Sequence, residues 1–495
     1  MLTEFGLTQA ATLPGATVTP AIQISGPNRR PMVNSWDVFD TLVSRFFVDP
    51  IDVLRLVEQR AQEADFLKRR LQAQADLDHV GAPYVIHDIY RRLVASGMEK
   101  PRALTMLGLE LAIERELLFP IRAIVEMVEP GDIILSDMYL PDEVVFDLVR
   151  ELCGLDELRP IVRSNWGKAS GTIWPQVMAH YAVRTHFGDN HHSDVEAPRK
   201  FGIETSCIDN ARPTPWEMTV ANLGLQQLAL LLRETRLRGV TNEAGPLQNV
   251  IAGPYLALLY GFSVWLNRSF GPDQRFVFLR RDADDLARVF STLYPFVDST
   301  TLDLSREIVL SRSFDHILLS RINADSVLVD PLTSGRTVSH FLTRNGNTST
   351  RLATLIHLDD IIAPSEAGHI GTMIESGRLR FLTRKSELPA HHYALECLLQ
   401  TPWPPVTSLG YDERSGGLVR SYGSSHDLTP GEHRLIRAKL RLVREFTAVL
   451  RRRGNGVCNA EQALVLIKAA LAAIFAERHL VDAFPSFLIR ERGCC

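Results

Sequence analysis

Three short apolar runs, each ending in an acidic or hydroxyl side chain, constrain the fold of this chain most. They run into residues 36–42 (WDVFDTL), 133–139 (IILSDMY) and 188–194 (GDNHHSD), and helical patterns lie between them. Strands that alternate with helices predict a parallel α/β sheet. Because ligands bind outside the carboxyl ends of such strands, we expect these polar residues to meet at one sheet edge.

The residue types in these runs suit phosphoryl chemistry. Asp37 could attack phosphorus and form an aspartyl-phosphate. Carboxylates in residues 188–194 could hold Mg²⁺, which prefers oxygen ligands. A fourth piece, Lys168 in residues 165–168 (NWGK), could stabilise phosphoryl oxygens. Each piece alone is more often a turn residue, a helix cap or a surface charge, so the prediction depends on the ordered set of four.

The ordered set resembles the haloacid dehalogenase superfamily over residues 33–210. The resemblance implies a nucleophile, a hydroxyl group and a base, which are Asp37, Ser136 and Lys168. It further implies Mg²⁺ as the cofactor, held by Asp37, Asp189 and Asp194, and we assign Thr41 as a substrate contact. The helices between the first two motifs would form a cap over the substrate.

The chain departs from this family at Phe39. Family phosphatases usually carry a second Asp two residues after the nucleophile, as general acid and base. Asp40 lies one residue further on, and strand alternation predicts that its side chain points elsewhere. Without a proton donor, leaving-group expulsion and phosphoenzyme hydrolysis would slow. Hydrolysis therefore requires another acid.

A second set of polar residues lies in the C-terminal half. Residues 325–337 (DSVLVDPLTSGRT) predict a strand ending at Asp330 and then a turn into a helix. Backbone N–H groups and hydroxyls at such a turn can cradle an anion, and the predicted contacts are Thr333, Ser334, Gly335, Arg336 and Thr337. Residues 275–286 (RFVFLRRDADDL) predict another strand, which ends in the diphosphate-binding candidates Arg280, Arg281 and Asp282. The alternatives are an ordinary capped connection and a solvated charge cluster.

These two segments together resemble the type I phosphoribosyltransferases over about residues 250–385. The resemblance implies phosphoribosyl diphosphate (PRPP) as a substrate and Asp330 as a residue of the transfer site. The family's acidic pair is Val329-Asp330 here, so one ribose-binding acid is missing. Thr333 stands where nucleobase enzymes often have a base, which argues for another acceptor.

The pattern along the chain predicts an α/β protein with two Rossmann-like parallel-sheet domains. A disordered lead over 1–30 precedes the dehalogenase-like domain at 31–212, whose cap covers about 46–128. The transferase-like domain is expected at 213–390, after a linker at 209–215. A helical extension over 391–495 should pack on the second domain.

Composition excludes some classes of function. The 495 residues carry a net charge of −4 with a pI near 6.4, which disfavours nucleic-acid binding. The six cysteines contain no C-x-x-C, and neither a secretory signal nor a membrane-spanning segment is recognised. We therefore expect a cytoplasmic protein. The basic amphipathic stretch 432–453 is either a packed surface helix or a segment that docks on the inner face of an anionic membrane.

The two predicted sites suggest a two-step ribofuranosyl transfer. A phosphoribosyl group would move from PRPP to an acceptor, and the dehalogenase-like site would then remove the 5-phosphate. The whole-chain pattern resembles hydrolase-like proteins of bacterial surface polysaccharide synthesis, which favours a glycan or lipid-linked acceptor. Two alternatives stay open: a hydrolase whose second domain only binds a phosphosugar or a partner, and a scaffold in which both sites have lapsed.

Overall fold

The computed structural model describes residues 30–156, 159–160, 167–239, 245–388, 393–412, 414–415, 417–423 and 428–486. The expected disordered lead, the C-terminal cysteine pair and the first two residues of the NWGK piece lie outside this part of the chain. The described residues form a mixed α/β structure in which helices flank two parallel sheets, and this confirms the predicted fold class.

The first sheet uses strands from residues 32 to 207. The strands of this region are β1 (Met32–Trp36), β2 (Val43–Arg45), β3 (Leu118–Pro120), β4 (Ile133–Ile134), β5 (Arg159–Pro160), β6 (Ala182–Gly188) and β7 (Glu204–Cys207). Five of them form a parallel sheet in the order β5-β4-β1-β6-β7, while β2 and β3 pair antiparallel beside it. The winding of the sheet therefore reverses between β1 and β6.

Four helices lie between β2 and β3, at the position predicted for the cap. They are α1 (Ile51–Ala61), α2 (Phe66–Val80), α3 (Ile86–Ala95) and α4 (Lys100–Leu117). The helical stretch predicted over 52–77 is broken at Gln62 and Asp65, where φ is 51° and 60°. A buried ion pair between Arg70 and Glu110 (2.8 Å) joins α2 to α4. The remaining helices of this region are α5 (Arg122–Val125), α6 (Asp142–Cys153), α7 (Trp174–His180) and α8 (Ala197–Arg199).

The second sheet uses strands from residues 275 to 384. The strands after β7 are β8 (Arg275–Leu279), β9 (Ser299–Leu302), β10 (Ser326–Val329), β11 (Leu332–Thr333), β12 (Arg351–His357), β13 (Leu379–Arg384), β14 (Val406–Tyr411) and β15 (Leu418–Tyr422). Strands β9, β8, β10, β12 and β13 are neighbours in that order, and all their pairings are parallel. Strand β9 is added on one side of β8, and β10, β12 and β13 are added on the other, so the winding of the sheet reverses between β8 and β10.

Thirteen α-helices occur in the described part of the chain after β7. They are α9 (Pro215–Asn222), α10 (Gln226–Arg238), α11 (Gln248–Val250), α12 (Leu256–Phe270), α13 (Asp284–Leu293), α14 (Arg306–Ser311), α15 (Asp315–Leu319), α16 (Arg336–Arg344), α17 (Pro364–Glu375), α18 (Tyr393–Leu399), α19 (Pro430–Arg453), α20 (Ala460–Ala476) and α21 (Arg478–Asp482). The helical stretch Gln248–Phe270 is long and apolar enough to cross a membrane, but 89% of its apolar 18-residue window is buried inside the protein. It therefore serves as a core element.

The stretch 209–215, predicted as a linker, is a turn packed between the two regions. Arg233 of α10 is 3% exposed and donates to the carbonyl oxygens of Ala211 (2.8 Å) and Arg45 (2.8 Å). A continuous hydrophobic core extends from the first sheet through α10 and α12 to the second sheet. The two sheets are thus joined by buried contacts at this junction.

The region after residue 391 is not entirely helical, because β14 and β15 form an antiparallel hairpin that the sequence analysis does not predict. Helix α19 buries its apolar side, including Leu442, Phe446 and Leu450. Lys439 on the same helix is 3% exposed and pairs with Asp285 of α13 (2.8 Å). The helix therefore packs by its apolar face, and its opposite side stays exposed to solvent.

Candidate active sites

The first candidate site lies at the carboxyl edge of the first sheet. Asp37 follows β1 directly, Ser136 lies two residues after β4, and Asp189 follows β6. Strands β1 and β6 flank the point where the winding reverses, which is where open α/β sheets form their ligand crevice. Asp37 and Asp189, which the sequence places at strand ends, do meet at this edge.

Lys168 joins two of the predicted acids. Its Nζ donates to Oδ1 of Asp37 (2.5 Å) and to Oδ1 of Asp194 (2.7 Å), and the residue is 2% exposed. Its backbone N–H donates to Oδ1 of Asp137 (3.0 Å), so the second motif fixes the segment that carries the lysine. Charge-assisted hydrogen bonds of this kind are short and strong, and they hold the three side chains in place.

Asp194 is also held by residues that the sequence analysis missed. Its Oδ2 accepts the N–H of Asn190 (3.0 Å), and its Oδ1 lies 3.3 Å from Nε2 of the fully buried His186. The other ring nitrogen of His186 lies 2.8 Å from Oγ of Ser35 on the neighbouring strand. A Cβ on Gly188 would lie 2.4 Å from Cγ of Asp194. His186 lies two residues before Gly188 on β6, and residues two apart on a strand share a face. This spacing is the sequence signal that could have identified His186.

Two predicted hydroxyl groups lie at the first sheet edge. Oγ1 of Thr41 donates to Oδ2 of Asp37 (3.3 Å), so this residue, predicted to contact substrate, contacts the predicted nucleophile. Ser136 is 2% exposed, and its Oγ accepts the N–H of Met138 (3.3 Å). The hydroxyl proton of Ser136 is then available to donate.

The buried charges of this site do not balance. Burial raises the pKa of Asp37 to about 7, although Lys168 opposes the shift. Burial and the nearby Asp40 raise the pKa of Asp189 to about 6. Burial would raise the pKa of Asp194, but Lys168 lowers it below its usual value. Burial would lower the pKa of Lys168, but Asp37 and Asp194 raise it. Three carboxylates face one ammonium, so the ionised site carries excess negative charge.

The same three acids are arranged to hold a cation. One carboxylate oxygen from each of Asp37, Asp189 and Asp194 lies within 4.8 Å of the other two, and no other such group occurs in the described part of the chain. Oxygen donors suit a hard divalent cation such as Mg²⁺. A bound cation would also offset the excess negative charge that raises two of the pKa values. The donor set and its charge therefore fit a divalent metal.

The position of the absent second Asp is occupied by an aromatic ring and an arginine. The guanidinium carbon of Arg45 lies 4.6 Å from the ring centroid of Phe39, and Arg45 pairs with buried Glu114 of the cap (2.6 Å). Asp40 is not in a strand: its φ is 56°, and its carboxylate accepts the hydroxyl of Ser44 (2.6 Å). Strand alternation, the reason given for the direction of the Asp40 side chain, is therefore wrong, because a left-handed turn sets that direction. The charge of Asp40 also raises the pKa of Asp189.

The second candidate site lies at the carboxyl edge of the second sheet. Asp330 follows β10, and Asp282 lies three residues after the neighbouring strand β8, at the point where this sheet reverses. Burial and the nearby Asp282 raise the pKa of Asp330 to about 8. Burial also raises the pKa of Asp282. Proximity and burial thus oppose ionisation of these two carboxyl groups.

The predicted anion loop, residues 333–337, forms the strand, turn and helix that the sequence predicts. Gly335 is the N-cap of α16 and has a φ of 79°. Oγ1 of Thr333 accepts the N–H of Gly335 (3.1 Å), and Oγ of Ser334 accepts that of Arg336 (3.5 Å). Arg336 and Thr337 form the first turn of α16, whose backbone N–H groups carry a partial positive charge.

The two arginines predicted to bind diphosphate differ. Nε of Arg280 faces the carboxylates of Asp284 (3.3 Å) and Asp303 (3.8 Å). Arg281 has a φ of 79°, and its buried Nε has no hydrogen-bond partner among the described residues. Strained backbone at a non-glycine residue is typical of functional sites. Arg281 is therefore the arginine with capacity left for a ligand.

No protein-family model matches this chain, and no curated protein matches it. The resemblances to dehalogenases and phosphoribosyltransferases therefore depend on the motifs and on the geometry of the two sheet edges.

Proposed function

We propose that this protein is a two-site enzyme that transfers a phosphoribosyl group and then removes its 5-phosphate. The first sheet edge would carry a Mg²⁺-dependent phosphatase, and the second would carry a phosphoribosyltransferase. The observation that supports the proposal most is the group formed by Asp37, Asp189 and Asp194 around Lys168. Buried carboxylates with perturbed pKa values in a crevice are typical of catalytic sites.

At the first edge, an oxygen of Asp37 would attack phosphorus and form an aspartyl-phosphate, while the ester P–O bond breaks. Lys168 and Ser136 would bind the phosphoryl oxygens and stabilise the transition state. Mg²⁺ held by Asp37, Asp189 and Asp194 would supply charge neutralisation. Water would then hydrolyse the aspartyl-phosphate and release inorganic phosphate.

At the second edge, the acidic group of Asp330 would bind the ribose hydroxyls of PRPP. The loop at 333–337 would bind the 5-phosphate through backbone N–H groups and hydroxyls. Arg281 would bind the diphosphate through its guanidinium group. The bond between C1 and the diphosphate oxygen would break as an acceptor hydroxyl attacks C1, with a glycan or lipid-linked saccharide as the acceptor.

The two activities would be sequential, because the transfer product retains a 5-phosphate that a phosphatase can remove. Since PRPP is a cytoplasmic metabolite, we place the enzyme in the cytoplasm. The product would be a ribofuranoside without phosphate, the kind of unit that surface polysaccharides contain.

A second candidate function is a hydrolase whose C-terminal half only binds a phosphosugar or a partner. Two observations favour it. Val329 replaces one of the paired acids, and Arg280, one of the two predicted diphosphate ligands, is already bound by Asp284 and Asp303. This candidate predicts phosphate release without diphosphate release.

Separate assays of diphosphate and phosphate release test the proposal. With PRPP, Mg²⁺ and saccharide acceptors, we expect both products from the unmodified protein. Asp37→Asn should lower phosphate release by about a thousandfold and leave diphosphate release unchanged. Asp330→Ala should lower diphosphate release instead. Its phosphate release should be unchanged when a phosphorylated ribofuranoside is supplied directly. Loss of both activities in either variant, with the fold intact by circular dichroism, would contradict the assignment of two separate sites.

Metal binding can be tested without an activity assay. Mg²⁺ at a hundred times its dissociation constant should stabilise the folded protein by about 2.7 kcal/mol. Asp194→Asn should remove this stabilisation, whereas Asp156→Asn, a change at an exposed acid outside the site, should retain it. An equal rise in melting temperature for both variants would show that Mg²⁺ binds elsewhere.

A further inference from the structure

The solvent-facing side of α19 consists almost entirely of arginine. Apart from Pro430 at its start, every exposed residue of this 24-residue helix is an arginine, namely Arg434, Arg437, Arg441, Arg444, Arg451 and Arg452. The whole chain carries a net charge of −4, so this concentration of positive charge is local. We call these six residues the arginine face.

The arginines lie along one stripe. Successive members of Arg434, Arg437, Arg441 and Arg444 are three or four residues apart, which places them on one side of a helix. From Arg434 to Arg451 the stripe is about 25 Å long, at 1.5 Å per residue. The opposite, apolar side is packed in the core, so any surface that docks here meets the arginines.

Some of these arginines are not neutralised by an ion pair within the described part of the protein. Arg452 binds Glu234 (2.9 Å), and Arg451 donates to Oγ1 of Thr292 (3.3 Å). In the described part of the chain, Arg434, Arg437 and Arg444 form no ion pair with a carboxylate. A partner with negative charge would therefore meet cations that are not already neutralised.

Two fully exposed apolar side chains lie beside one end of the arginine face. Phe296 and Val457 have exposed fractions of 101% and 91%, the highest among the large apolar residues that the structure describes. The Asn455 side chain donates to the carbonyl of Leu293 (3.0 Å). That bond brings the loop carrying Val457 to the segment carrying Phe296, next to Arg451. Exposed apolar groups next to a basic surface indicate an interaction site.

We propose that the arginine face, with Phe296 and Val457, docks this protein on an anionic phospholipid membrane. Arginines attract acidic headgroups, and apolar side chains can enter the acyl boundary. A straight stripe of about 25 Å with apolar groups at one end suits a flat lipid surface better than a nucleic acid, because Phe296 is the one exposed aromatic group beside it in the described part of the chain, and base stacking needs several. The inference is independent of the proposed enzymatic activities.

Vesicle sedimentation with the full-length protein tests this inference. Vesicles of equal parts phosphatidylglycerol and phosphatidylcholine should bind the protein, and phosphatidylcholine vesicles should not. At about fivefold per arginine, the triple variant Arg434→Gln, Arg437→Gln, Arg444→Gln should weaken binding by about a hundredfold. The matched control is Arg122→Gln, Arg306→Gln, Arg312→Gln, which removes three exposed arginines, one at the start of α5 and two at the ends of α14, and should bind like the unmodified protein.

A second variant tests the apolar contribution. Phe296→Ser with Val457→Ser removes side chains that contact solvent only, so the melting temperature should be unchanged. Its binding to anionic vesicles should fall about tenfold or more, and the loss should persist in about 1 M salt, where charge attraction is screened. Equal binding by both triple variants, or no binding to anionic vesicles, would overturn the inference. Salt-sensitive binding to RNA or heparin but not to vesicles would also overturn it, in favour of a soluble polyanion.

Discussion

The two sheet edges use buried carboxylates in different ways. At the first edge, Lys168 lies between Asp37 and Asp194 and holds both with hydrogen bonds of 2.5 and 2.7 Å. At the second edge, burial and the neighbouring Asp282 raise the pKa of Asp330 to about 8, although Arg281 opposes the shift. Hydrogen bonds from Lys168 organise the first edge, whereas a proton or a cationic ligand would neutralise the second.

This difference explains why the first edge is the stronger functional candidate. The predicted nucleophile, Asp37, is held by Lys168 and Thr41 and would need little reorganisation before it reacts. The second edge has a suitable loop and the positive-φ residue Arg281, but Asp282 and Asp330 form no ion pair among the described residues. Variants at each edge can therefore test whether the two edges differ in this way.

The largest effect is expected from Lys168→Met. This change leaves two buried carboxylates unpaired, so the free energy of unfolding should fall by about 3–5 kcal/mol. Phosphate release should fall by about a thousandfold, because a transition-state contact is lost as well. Urea denaturation and a phosphate assay measure both. Lys200→Met, at an exposed lysine, is the control and should leave both quantities unchanged.

The pH dependence of stability should expose the second edge. The pKa of Asp330 is raised from 3.8 to about 8, so the folded state binds a proton that the unfolded state has released. Stability from this group is therefore lost as pH rises between about 4 and 8, with a slope of at most about 1.4 kcal/mol per pH unit. Asp330→Asn should flatten that slope. Identical pH profiles for the two proteins would mean that Asp330 ionises normally.

A smaller effect is expected from Gly335→Val. A Cβ at this position would make only ordinary contacts of 3.5–3.7 Å, so the cost comes from the φ of 79°. A β-branched residue there should cost about 1–2 kcal/mol of stability and weaken phosphate binding at the second edge. Gly377→Val, at another positive-φ glycine with φ 71°, is the matched control and should leave phosphate affinity unchanged. Calorimetry with ribose 5-phosphate distinguishes the two.

The smallest effect is expected from Phe39→Asp. The new carboxylate would lie beside the guanidinium of Arg45, which now covers the Phe39 ring, and would pair with it. We therefore expect phosphate release to change by less than about tenfold, although a free carboxylate there could act as an acid. A hundredfold increase would show that the absent acid limits hydrolysis. A large loss with the fold intact would show that the ring shapes the substrate pocket.

The sequence was informative about the fold because strand and helix periodicity is local. The runs into Asp37, Ser136, Asp189 and Asp330 each follow a strand of a parallel sheet, as their patterns predict. Since parallel strands end at the same edge, the meeting of Asp37 and Asp189 also follows from the pattern. The hairpin formed by β14 and β15 was missed, because short polar strands give little periodic signal.

Hydrophobic periodicity and chain order specify the class of fold and the strand ends that carry the acids, so both follow from the sequence. Which charges neutralise one another depends on the packed structure. The contact of His186 with Asp194, the placement of Arg45 over Phe39 and the difference between Arg280 and Arg281 depend on packing between elements far apart in the chain. The packed structure also decided that α19 buries its apolar side and presents arginines to solvent, since burial is set by the neighbouring helices.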